Sequence, residues 1–111
     1  MRERRQISND KVDELIIFLT PFIRSLLERV EADEFTTTQF IEVMQLDPPT
    51  ERAYQRALTD WGEAPDQSKL VIHGQVIPAA MRASGMVEWI GFAHGEDDPW
   101  AVPAWWRLKS S

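Results

Sequence analysis

The chain is expected to fold as a mainly helical domain closed by a C-terminal β-hairpin, an α+β arrangement. Three observations lead there. Apolar residues at Val12, Ile16, Leu19, Ile23, Leu26 and Val30 step by four and three, the spacing of one face of a long helix. An apolar stretch from Val76 to Met86, stopped by Gly85, gives a short helix that leads straight into Val87–Phe92, a strand. A polar turn from Ala93 to Pro99, with Gly95, then separates that strand from a return stretch, Trp100 to Leu108, that carries Trp100, Trp105 and Trp106.

Residues 1–7 read as a polar, basic, flexible tail, and Ser8, Asn9 or Asp10 can cap the first helix, which the pattern carries to about residue 33. Continuity of phase across Pro21 favours a single kinked helix; Thr20 followed by Pro21 also fits the start of a second one. Leu15, Phe18, Phe22 and Leu27 widen its apolar stripe beyond a single seam, which calls for cover from the rest of the domain or from a second subunit. A threonine among Thr36-Thr37-Thr38 caps the next helix, whose buried side is Phe40, Ile41, Val43, Met44 and Leu46 and which ends at Asp47-Pro48-Pro49. Thr50 then caps a third helix, with Ala53, Tyr54, Ala57, Leu58 and Trp61 at helical spacing until Gly62. Glu63 to Lys69 reads as a polar loop and Leu70-Val71-Ile72 as a short strand. Gly74 leads into the fourth helix, Gln75 to Ser84, with Pro78 in its first turn. In the hairpin, strict alternation puts Val87, Trp89, Gly91 and Ala93 on one side and Glu88, Ile90, Phe92 and His94 on the other.

Composition bounds the function. A chain of 111 residues with 43% hydrophobic residues supports one domain with a modest core, and no cysteine means no disulfide, thiolate metal site or cysteine nucleophile. The longest apolar run, Leu15 to Leu27, is shorter than the ~20 residues a membrane span needs and contains Pro21 and Arg24, and no signal-peptide pattern follows the basic start. The expectation is a cytoplasmic protein. A net charge of −6 argues against a surface coated in basic residues for sequence-independent nucleic-acid binding, yet leaves room for a local patch.

The order of a helix, further helices and a terminal Trp-bearing hairpin resembles the winged helix-turn-helix superfamily over roughly residues 36–108. The resemblance lies in element order, with the Thr50–Trp61 helix as an addition. It implies that the helix from Gln75 to Ser84 occupies the position that enters the DNA major groove. That helix offers Gln75, Arg82 and Ser84 for base contact, and Arg2, Arg4, Arg5 and Arg107 are the basic residues within reach of phosphate. In this arrangement the return strand is the central one, and Pro103, which cannot donate a ladder hydrogen bond, argues against a complete three-stranded sheet.

Two functions follow. One is a DNA-associated regulator, dimeric through Ile16, Leu19, Ile23 and Leu26 of the first helix. The other is a non-catalytic adaptor that binds a protein partner through the Trp-rich hairpin, where adjacent Trp105 and Trp106 face opposite ways and one is free to anchor a partner. The acidic turn Glu96-Asp97-Asp98 repels phosphate and lacks the ligand spacing of a calcium loop. His73 and His94 sit in no metal-binding spacing, Ser68 has no triad signature, and no glycine-rich phosphate loop follows a strand. No catalytic site, metal or cofactor is therefore expected.

Overall fold

The structure, a computed structural model, describes residues 6–62, 64–93 and 103–109. Helix α1 (Gln6–Leu27) is one continuous helix with Pro21 inside it. Pro21 lies on an exposed position next to Ile17, itself 71% exposed, so the carbonyl that loses its donor can be met by water, and the Thr20 hydroxyl donates to the Ile16 carbonyl at 2.6 Å. The helix starts earlier than its expected caps: Gln6 and Ile7 are helical, and Ser8, Asn9 and Asp10 lie in its first turns. It also ends earlier, at Leu27. The chain leaves it because Glu34–Thr36 form a strand, β1, that pairs with the C-terminal strand.

Thr36 ends β1 and caps α2 (Thr37–Leu46) through a reciprocal pair with Gln39, the hydroxyl accepting from the Gln39 N–H at 3.1 Å and the Gln39 amide oxygen from the Thr36 N–H at 3.0 Å. Phe40, Ile41 and Met44 are buried as expected, whereas Val43 and Leu46 face solvent, Leu46 at 82%. Helix α3 (Pro48–Trp61) is capped by Asp47, not Thr50: the Asp47 carboxylate accepts from the Thr50 N–H at 3.3 Å, and the buried Thr50 hydroxyl donates to the same carboxylate. Two prolines at the first helical positions need no partner for N–H groups they lack, so the cap falls one residue before them. Gly62 in the left-handed conformation ends α3.

The region from 65 to 84 departs most from expectation. From Pro65 onward neither the expected loop nor the strand expected at 70–72 forms. Instead α4 (Pro65–Val71), a π-helical turn (Ile72–Val76) and α5 (Ile77–Ser84) run on in sequence. Pro78 explains the widened turn. In an unbroken α-helix its ring would collide with the Gly74 carbonyl and leave it without a donor; the π turn shifts the register there, with the Ile77 N–H donating to the Ile72 carbonyl. An apolar run of three residues could not distinguish strand from buried helix, and tertiary burial of Ile72 and Val76 decides it.

Strands β2 (Val87–Phe92) and β3 (Ala104–Leu108) complete an antiparallel three-stranded sheet in the order β1-β3-β2. The expected obstacle, Pro103, falls just before β3, where its carbonyl accepts from the Ala93 N–H at 2.9 Å and no N–H is required. The core lies where α1 packs against α3, the π turn and α5, with Phe35, Val87, Ala104 and Trp106 of the sheet joining it. Leu19, Ile23, Leu26 and Leu27 are thus covered by the chain itself, whereas Ile16, Phe18 and Phe22 of the same stripe are only partly buried. No helix among the described residues is long and apolar enough to cross a membrane.

Candidate interaction surfaces

The helix expected to read DNA is largely inside the protein. On α5, Ile77, Pro78, Ala80, Met81 and Ser84 are buried. Ser84 is closed to a base by its own bonds: its hydroxyl donates to the Met81 carbonyl at 2.6 Å and accepts from the Met86 N–H at 3.1 Å, tying off the turn into β2. Gln75 is exposed on the π turn, and Arg82 is exposed with its guanidinium 5.3 Å from the centre of the Trp106 ring, a cation–π distance. These two are the only expected base contacts at the surface.

Arg107 is not a free cation either. It stands on the central strand opposite Glu34 of β1 and Glu88 of β2, and reaches their carboxylates at 3.4 and 3.6 Å. Such exposed pairs contribute little to stability, but two carboxylates around one guanidinium leave the patch negative, which disfavours phosphate. Arg2, Arg4 and Arg5, the acidic turn Glu96-Asp97-Asp98, His94 and Trp100 lie outside the described residues.

The adjacent tryptophans divide as alternation requires. Trp106 is 1% exposed, and its indole N–H donates to the Thr37 hydroxyl at 2.8 Å, joining β3 to the start of α2. Trp106 is therefore core and cannot anchor a partner; Trp105 is half-buried. The larger exposed aromatic surface belongs to β2. Trp89 pairs with Trp106, but the next pair is Gly91 with Trp105, so Ile90 is left over as a β-bulge. The extra residue reverses the alternation, and Phe92, opposite Ala104, comes to the same side as Trp89. Their rings meet edge to face at 5.2 Å and 77°, with Trp89 47% and Phe92 64% exposed. Gly91 has φ of +149°, a conformation side chains resist, which locates the bulge at this glycine. Strict alternation assigned the two rings to opposite faces; the glycine between them was the available signal for a bulge.

The sole histidine described, His73, is buried in the π turn and hydrogen-bonds the Tyr54 hydroxyl at 2.6 Å, linking it to α3. Ser68 is also buried. Among the described residues no group of three histidine, aspartate or glutamate side chains could hold a metal ion. At the junction of α1, α2 and α3, Arg29 pairs with Asp47 at 2.9 Å, and this guanidinium together with the Thr50 bond lowers the Asp47 pKa to about 2. Asp47 thus acts as both helix cap and ion-pair partner.

Compared with protein-family models, curated proteins and solved structures, the chain matches none.

Proposed function

We propose that this chain is a non-catalytic, winged-helix-like interaction module that binds a protein partner through the aromatic surface of its hairpin. The winged-helix reading is supported by connectivity: a helix and a short strand, then further helices, then two strands of which the last is central, in the order β1-β3-β2. The observation that carries the choice of a protein partner is the burial of α5. A reading helix must present side chains to base edges, and this one presents its apolar face to α1. Trp89 and Phe92, rigid and exposed on an edge strand, are the residue types that anchor protein interfaces. The DNA-associated alternative draws on Gln75, Arg82 and the basic start of the chain.

The test places a photo-crosslinking amino acid at Phe92 and, as a control, at the exposed Leu46 of α2. A protease-sensitive adduct formed in cells from position 92, absent from position 46 and lost on Trp89→Ser, is the expected result. Titration with duplex DNA at low salt is expected to show no binding. A nucleic-acid adduct, or duplex binding that falls with salt and with Arg82→Ala, would overturn the proposal in favour of DNA.

A further inference from the structure

A second surface, independent of the hairpin, runs between α1 and α3. Phe18 and Phe22 stand one turn apart on α1 with ring centres 5.7 Å apart, both only partly covered. The facing side of α3 carries Ala53, whose small side chain leaves space above it. Two adjoining clefts of about 310 and 350 Å³ result, sharing Phe18 and Arg56; Pro49 and Arg52 close one end, Lys11 and Asp60 the other.

The charges in this groove are unequal in availability. Arg56 pairs with Asp60 at 3.4 Å. The Lys11 ammonium donates to the Trp61 carbonyl at 2.9 Å and lies 5.1 Å from the centre of its ring. Arg52 makes no ion pair or hydrogen bond among the described residues and stands beside Phe22 and Pro49. The groove therefore offers a continuous aromatic floor and one uncommitted guanidinium at its Pro49 end.

We propose that this groove binds an acidic and apolar segment of a partner protein, with large apolar side chains on Phe18 and Phe22 and a carboxylate paired with Arg52. Charge complementarity selects this occupant. A nucleic-acid strand brings a phosphate with every nucleotide, and Glu14 and Asp60 in the same groove would repel it. A peptide can place a single carboxylate at the single free cation, where a guanidinium binds it with two parallel hydrogen bonds, and present apolar groups to the rest.

Fluorescence polarisation with a short labelled peptide of leucine and phenylalanine carrying one aspartate is the direct test. Saturable binding is expected, weakened about tenfold or more by Arg52→Glu and by replacing the aspartate with asparagine, and weakened also by Phe22→Ser. Arg52 is exposed, so its variant should melt as the parent does; Arg52→Gln serves as the second variant if the charge reversal disturbs folding. Amide chemical shifts should move at Phe18, Phe22 and Ala53 on binding. Absence of saturable binding, or binding indifferent to both Arg52 variants, would overturn the proposal, and so would oligothymidine binding abolished by Arg52→Glu, which would reassign the groove to nucleic acid. None of these variants touches Trp89 or Phe92, so failure here leaves the crosslinking result at the hairpin to stand or fall separately.

Discussion

Helices α3 and α5 share their punctuation and differ in what they show to solvent. Each has proline at its start and a left-handed glycine after its end, Gly62 and Gly85. Yet α3 buries one face, through Thr50, Ala53, Tyr54 and Ala57, and exposes Arg52, Gln55 and Arg56, while α5 buries five of its eight residues. The reason is composition meeting position. Arg52, Arg56 and Asp60, one helical turn apart along a single face, hold that side of α3 at the surface, whereas the apolar α5, packed along α1, becomes part of the centre. The difference teaches that a helix's place in the chain order does not fix its exposure: α5 is largely buried, and α3 keeps a charged face in solvent.

The contrast breaks first at charged substitutions. Met81→Asp on α5 should leave the chain largely unfolded, because a buried unpaired carboxylate costs on the order of 4 kcal/mol or more, a large part of a small domain's stability. Arg56→Asp on α3 should fold. Loss of helical circular dichroism in the first and not the second is the expected result; a folded Met81→Asp chain would return α5 to the list of available helices. The next largest effect is at the paired tryptophans: Trp106→Ala should lose roughly 3–5 kcal/mol in denaturant titration and Trp105→Ala clearly less. Equal losses would mean that Trp105 is as much a core residue as Trp106.

Smaller effects sharpen the comparison at the helix ends. Gly85→Ala forces a side chain into φ of +73° and should cost about 1 kcal/mol by strain alone, since no atom stands within contact distance of the added carbon. Thr36→Ala, which removes the α2 cap, should cost about 1 kcal/mol. The cap of α3 has a pH signature. The folded pKa of Asp47, about 2, lies below the ordinary value of 3.8, so the stability it contributes is fully present above about pH 4 and is lost as pH falls through about 2. Asp47→Asn should flatten that part of the stability profile in acid titration. Smallest of all, Arg52→Ala should change stability by less than about 0.5 kcal/mol.

The elements that local chemistry specifies were legible without coordinates. A capping threonine before Phe40 and Ile41, the stop at Gly62 and the Pro78 and Gly85 brackets are decided within a few residues of chain, by hydrogen bonds and dihedral limits that need no distant partner. The apolar face of α1 was legible too, since Leu19, Ile23 and Leu26 recur at its period. Less was legible of the candidate surfaces. Gln75 and Arg82 are exposed as expected, but Ser84 is internally bonded, Arg107 is enclosed by two glutamates, and the larger exposed aromatic element is Trp89 with Phe92 and not one of Trp105 and Trp106.

By itself, then, the sequence determined the α+β class, the phase of the long first helix, the threonine-capped start of α2 and the glycine stops, and the opposite facing of Trp105 and Trp106, because each depends on periodicity or on a local backbone requirement. Only the tertiary structure decided that Leu70–Ile72 is helical, that Glu34–Thr36 pairs with the chain's last strand, that α3 and α5 cover α1, and that a bulge at Ile90 brings two aromatic rings to one face. Those outcomes turn on which apolar surfaces meet across long separations in the chain. Short segments are too ambiguous in pattern to resist that choice, so burial, and not propensity, has the final say.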